Sequence, residues 1–184
     1  MEAERVCKAR YDLALSRRAF LAAVTTTTLA ACVPSESPNG SSFAGWGSQG
    51  LRDGDFLKPR AIAWHEARVY VIDTTGRVQV FDENGSFLNL WKTPDTSNGT
   101  PTAIAVGLDG RLLVPDTHYH QILEYSTAGE LLAQWGGYGA APDQFIYPTG
   151  IAQHADGRYF ISEYGENAER IHVFGPDRKF LTQW

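Results

Sequence analysis

The chain has 184 residues, with 16 Lys+Arg against 21 Asp+Glu and a formal charge of −5. Apolar residues make up 43% and charged residues 20%, a globular composition rather than that of a disordered or collagenous chain. The acidic balance speaks against a nucleic-acid surface, two Cys cannot build a disulfide scaffold, and no apolar run approaches the roughly 18 residues of a spanning helix.

The N-terminus reads as an address. Ser16-Arg17-Arg18-Ala19-Phe20-Leu21 follows a polar stretch holding Lys8 and Arg10, and precedes a weakly apolar run from Ala19 to Ala31. Charge followed by apolar residues is the order of an export signal. The Arg17-Arg18 pair with Phe-Leu resembles the bacterial twin-arginine signal, with Ala22 where Lys is usual. The run ends Leu29-Ala30-Ala31-Cys32, which resembles a lipobox, where small residues precede a Cys thiol that receives lipid. Residues 1–32 are therefore expected to be a signal, with Cys32 lipidated. From Cys32 to Trp184 the 153 residues carry eleven basic and eighteen acidic side chains, a balance of −7. Residues 33–42, rich in Pro, Ser, Asn and Gly, cannot bury enough apolar surface to order themselves and read as a tether.

The rest is one unit written three times, over residues 43–91, 92–135 and 136–184. Trp46, Trp91, Trp135 and Trp184 are 45, 44 and 49 residues apart. Pro59, Pro101 and Pro148 keep the same step, as do Asp73, Asp116 and Glu163, and Phe81, Tyr125 and Phe174. Each unit holds four short apolar segments. The first comprises Ala61–Ala63, Ala103–Val106 and Gly150–Ala152. The second comprises Val69–Ile72, Leu112–Val114 and Tyr159–Ile161. The third is Val78–Phe81, Ile122–Tyr125 and Ile171–Phe174, and the fourth is Phe87–Trp91, Leu131–Trp135 and Phe180–Trp184. Asp-Gly turns at Asp109-Gly110 and Asp156-Gly157 join apolar runs, as hairpins require. Four short strands per unit of 40 to 50 residues predict an all-β chain of four-stranded propeller blades.

The unit resembles the NHL repeat, above all at Asp116-Thr117-His118-Tyr119-His120-Gln121-Ile122 and from Arg158 through Phe174. The departures are a shortened Asp73-Thr74-Thr75-Gly76-Arg77, and Gln121 in place of the usual Arg. Pro115 sits at the end of a strand, tolerable only at an edge or terminus. The resemblance implies a six-bladed propeller of which three blades are present. Each end would then leave a blade face bare, and Phe43–Gly47 would be an outer strand belonging to another blade. Further sequence beyond Trp184, or a homodimer of two such halves, would close the ring.

Loops on a rigid scaffold are the usual place for chemistry. Asp73, Asp116 and Glu163 each end a second strand. They are either a ring of carboxylates for a metal or cationic ligand, or turn residues accepting backbone N–H groups. His118 and His120 share a loop with Asp116 and could hold a transition metal, or simply fill variable loop positions. Some NHL-type propellers are amidating lyases whose zinc-binding His follow the Pro that opens the inner strand. The matching residues here are Arg60, Thr102 and Thr149, none of them an imidazole; they are expected to line the channel mouth. No nucleophile elbow, phosphate loop or His-Glu-x-x-His occurs. Gly136-Gly137-Tyr138-Gly139 reads as a blade crossover. The expected function is that of an exported, lipid-anchored scaffold binding a protein, peptide or glycan. The competing expectation is a metal-dependent hydrolase or lyase of the six-bladed superfamily. The sequence names no cofactor.

Overall fold

A computed structural model describes residues 45–165 and 169–184. The export signal with Arg17 and Arg18, the lipobox with Cys32, and the tether 33–42 lie outside the described residues. Among the described residues there is no α-helix, and three four-stranded antiparallel sheets follow one another in the chain. The first blade is β3 (Pro59–His65), β4 (Arg68–Asp73), β5 (Arg77–Asp82) and β6 (Phe87–Lys92). The second is β7 (Ala105–Val106), β8 (Leu112–Asp116), β9 (Gln121–Tyr125) and β10 (Leu131–Gly136). The third is β11 (Tyr147–Gln153), β12 (Tyr159–Tyr164), β13 (Arg170–Phe174) and β14 (Phe180–Gln183). This is the order of a propeller, each blade a meander from inner to outer strand.

Alternation decides which side of each sheet meets which neighbour. Tyr70, Ile72, Val78 and Val80 of the first blade pack on Ile104, Leu112, Val114, Leu123 and Tyr125 of the second. Leu113 and Ile122, on the opposite face of the second blade, pack with Tyr159, Ile161 and Phe174 of the third. An indole closes each step. Trp46 lies 4.8 Å from the Phe81 ring, Trp91 5.7 Å from Tyr125, and Trp135 5.1 Å from Phe174. Gly85 and Gly129, both at positive φ (84° and 95°), sit in the turns beneath Trp46 and Trp91. A side chain there would enter the indole as well as strain the backbone.

The third blade has Arg178 at the corresponding turn position, with φ 63°. The strain of a non-glycine residue in this region is offset by what the side chain reaches. Arg178 donates to both carboxylate oxygens of the fully buried Glu124 at 2.8 Å. Glu124 also accepts from Arg111 at 2.6 Å and from the Trp135 indole N–H at 2.8 Å. Burial alone would raise the Glu124 pKa, but the donors Arg178, Arg111 and Trp135 outweigh it and hold the carboxyl below its ordinary value. One carboxylate therefore ties an outer strand, an inner hairpin and the next blade together.

Two expectations need correction. The first segment of the second blade was expected as a strand over Ala103–Val106, but only Ala105–Val106 pairs, with Leu113 and Leu112. In that register Ala103 would face Pro115, which has no N–H to give, so the ladder stops where Pro115 begins. Phe43–Gly47 was expected as an outer strand. Gly45–Gly47 form no strand; instead β1 (Ser48–Gln49) pairs in parallel with β2 (Asp55–Phe56). Gly47, at φ 84°, turns the chain away after Trp46 has docked on Phe81. Phe43 and Ala44 lie outside the described residues.

Among the described residues, large apolar side chains stand exposed on the first strand of the first blade and at the end of the third blade. Ile62 and Trp64 on β3 are 68% and 65% exposed, while the matching Ile104 is buried against the first blade. Trp184 is 66% exposed.

Glu124→Ala is expected to cost about 2–3 kcal/mol. This lies below the ~3–5 kcal/mol of a fully buried pair because Arg111 and Arg178 keep access to water. Urea unfolding of the full chain reads it; a midpoint equal to wild type would show that the carboxylate does not join the blades.

Candidate functional site

Three carboxylates occupy one structural position, the end of the second strand in each blade, and all are buried: Asp73 0%, Asp116 1% and Glu163 5% exposed. Their surroundings differ. Asp73 accepts from the Arg77 guanidinium at 2.6 Å, from the Thr75 amide at 2.9 Å and from the Leu57 amide at 3.2 Å. Burial pushes Asp73 up, but the bonds from Arg77 and Thr75 prevail and hold its pKa below the ordinary value. Glu163 accepts from Arg170, from His172 at 2.9 Å and from the Ile146 amide at 2.7 Å.

Asp116 has neither an arginine nor a crossover amide. Gln121 stands where Arg77 and Arg170 stand, and its amide donates to Oδ2 at 3.1 Å. The crossover before the inner strand is also shorter. Trp91 and Pro101 are 10 residues apart, against 13 for both Trp46–Pro59 and Trp135–Pro148. The residue two before Pro101 is Gly99, whose amide donates to the Thr96 carbonyl, where Leu57 and Ile146 donate to the acid. Oδ1 of Asp116 is left buried without a partner. Burial therefore dominates and pushes the Asp116 pKa up to about 6, the Gln121 bond opposing it and the Asp95 charge adding to it. A buried carboxylate oxygen without a partner costs stability.

The segment after Asp116 forms one 3-10 turn, Thr117–Tyr119, and ends at His120 in the left-handed region with φ 58°. The Thr117 hydroxyl donates to the Pro148 carbonyl of the third blade at 2.8 Å, and His120 Nδ1 is bonded to the Ile146 carbonyl. The two imidazoles join aromatic rings from the next crossover. His120 lies 4.8 Å from Tyr138 and 5.4 Å from Tyr147, and His118 lies 6.4 Å from Tyr147. Tyr147 stacks on Tyr164 at 5.2 Å. Tyr138 and Tyr164 are 69% and 51% exposed. Among the described residues no three His, Cys, Asp or Glu side chains are grouped to hold a metal ion, so Asp116, His118 and His120 are not assembled as a ligand set.

Arg60 and Thr149 each occupy a β-bulge, between the pairs Pro59–Asp73 and Ala61–Ile72 in one case and Pro148–Glu163 and Gly150–Ser162 in the other. A bulge re-aims the side chain it carries. Arg60 is exposed and lines an open groove of about 410 Å³ with Trp46, Phe56 and Ile62. Thr102 precedes β7, its hydroxyl 3.2 Å from that of Thr117, and Thr149 is half-buried beside Ser162. Sequence reasoning missed Glu124 and the Tyr138–Tyr147–Tyr164 stack. The signal for Glu124 was a lone charge where the sister strands carry Val80 and Val173; Tyr138 falls in a crossover, and Tyr147 and Tyr164 meet as partners at the very ends of β11 and β12, outside the apolar segments that carry the period.

No protein-family model matches the sequence. Peptidylglycine alpha-amidating monooxygenase of Rattus norvegicus is 33% identical over 90 residues, covering 46% of this chain and 9% of the rat protein. Among solved structures, virginiamycin B lyase from Staphylococcus aureus superposes with a TM-score of 0.54 at 15% identity, over 69% of this chain and 41% of the lyase. The WD40 repeats of RRP9 give 0.54 at 12% identity, over 73% and 39%. The chain thus spans about two fifths of these structures and less than a tenth of the rat protein. The likeness shows a β-propeller fold.

An Asp with a pKa near 6 when folded and 3.8 when unfolded binds its proton more tightly in the fold. It therefore weakens the fold as pH rises from about 4 through 6 and stays destabilising above. Between pH 4 and pH 8, Asp116→Asn should gain on wild type by about 2–3 kcal/mol. Thermal melts of both proteins across that range measure it, and parallel pH profiles would contradict it.

Proposed function

We propose that this chain is an exported, lipid-anchored propeller of NHL type that acts as a binding scaffold in the cell envelope. The observation that carries the binding reading is the aromatic cluster of His118, His120, Tyr138, Tyr147 and Tyr164, half-buried except for the exposed Tyr138 and Tyr164, on loops and strand ends of two adjacent blades. Rings that present both a face and a polar tip are the usual material of a recognition surface. Loops fixed by a rigid sheet lose little entropy when a partner docks. A protein, peptide or glycan is the expected occupant, with no nucleic acid, since the mature chain is acidic. Export rests on Ser16–Leu21, and anchoring on Leu29–Cys32.

A second reading is favoured by the 90-residue match to the amidating monooxygenase: a metal-dependent lyase or hydrolase. Against it stand Arg60, Thr102 and Thr149, which supply no imidazole at the positions where the amidating lyases place theirs. Arg60 in its bulge offers a guanidinium to an anion instead.

Two experiments test these readings. Lys keeps the charge of Arg but not its planar fork. Arg17→Lys together with Arg18→Lys should therefore block export, and Cys32→Ser should abolish lipid labelling and release soluble protein. Wild-type amounts of the double mutant in the envelope would refute the twin-arginine reading. For the second reading, the full chain should neither retain stoichiometric zinc nor cleave a peptidyl hydroxyglycine. Elemental analysis with a turnover assay measures both, and zinc-dependent turnover would replace the scaffold with the enzyme.

A further inference from the structure

We propose that the second blade takes from a bound partner the arginine that the first and third blades supply themselves. Asp116, with the half-buried Gln121 above it, is a receptor site for a guanidinium group carried by a peptide or protein ligand. The proposal deepens the scaffold reading and rests on it.

The sister blades show what such a site holds. The Arg77 guanidinium meets Asp73 and Thr75, then the carbonyls of Leu51 at 2.9 Å and Asp55 at 3.0 Å. It is buried to 4% exposure with its donors directed at carboxylate and carbonyl oxygens. Arg170 pairs with Glu163 in the third blade. At the same position the second blade keeps the acid and loses the base. Asp116 Oδ1 is buried and unpartnered, and Asp95 adds negative charge. Gln121 only half fills the role: its amide reaches Oδ2 at 3.1 Å, while its own carbonyl accepts from the exposed Gln134 at 2.7 Å. Both bonds are uncharged–charged or neutral side-chain contacts near the surface. A guanidinium that displaced the Gln121 amide would engage Oδ1 and Oδ2 together, the two-pronged geometry that distinguishes arginine from lysine.

The surroundings suit the same group. Gln121 follows His120, whose ring lies beside Tyr138 and Tyr147. Planar guanidinium stacks on aromatic faces, and such contacts strengthen on desolvation. The titratable groups that act on Asp116 are Asp95 and His120, with Gln121 its one hydrogen-bond donor; no Arg or Lys side chain donates to it among the described residues. A carboxylate with an orphaned oxygen, a second acid and an aromatic rim are together complementary to a cation.

The test uses the full chain and an acetylated, amidated pentapeptide, Gly-Gly-Arg-Gly-Gly, with its citrulline counterpart as the uncharged isostere. NMR chemical-shift titration reads the site and the affinity together. The arginine peptide should shift resonances of Asp116, Gln121 and Gln134, and citrulline should bind at least tenfold more weakly. Gln121→Arg, which fills the place from within as in the sister blades, should abolish the shifts at Asp116 while raising the melting temperature. Equal binding of both peptides, or undiminished binding by Gln121→Arg, would overturn the site. Shifts confined to Tyr138, Tyr147 and Tyr164 would overturn it too, yet leave the scaffold reading standing. Failure of the scaffold reading would show separately, as zinc-dependent turnover.

Discussion

The steps Trp46–Phe81, Trp91–Tyr125 and Trp135–Phe174 are the contact on which the blade arrangement depends. An isolated four-stranded meander has two faces and no interior; it becomes stable only when one face is covered by the next sheet. An indole does this at the rim, Trp91 and Trp135 from the ends of outer strands and Trp46 from the segment before β1. Each aromatic pair contributes ~0.5–1.5 kcal/mol beyond its buried area, and the area itself dominates. The spacing of the tryptophans is thus a physical repeat, because each must reach the third strand of the following blade.

Onto this common frame the three blades write different polar chemistry. Blades one and three neutralise their buried acids internally, through Arg77 and Arg170. The second blade does the opposite at two places. It leaves Asp116 without a cation, and it surrounds Glu124 with two. Glu124 is structural, since its donors come from neighbouring turns and fix the second blade to the third. Asp116 weakens the fold at neutral pH, and among the described residues only the uncharged Gln121 amide donates to it. A residue that breaks the local pattern at a stability cost is where function is most reasonably sought.

Much of the fold was legible before any coordinates. The four apolar segments of each unit fall on the observed strands because alternation of apolar residues is set by the pleat. Two places resisted. The length of β7 depends on Pro115, nine residues downstream of its end, and so on a register that periodicity alone does not give. The parallel contact of Ser48–Gln49 with Asp55–Phe56 involves two-residue strands, too short to carry a period. At the site, Asp73, Asp116 and Glu163 were visible as a repeat, and Gln121 as a departure. That the departure empties a charge partner became visible only with Arg77 and Arg170 placed on their acids. The aromatic cluster was illegible because His118 and Tyr147 lie 29 residues apart in different blades.

The account turns on Asp116 being the one acid of its set without a counter-charge. Side-chain carboxyl ¹³C NMR of the full chain, followed through a pH titration, tests this directly. The account predicts a midpoint near 6 for Asp116 and one below the ordinary Asp value for Asp73. Coincident midpoints for the two in the ordinary range would contradict it.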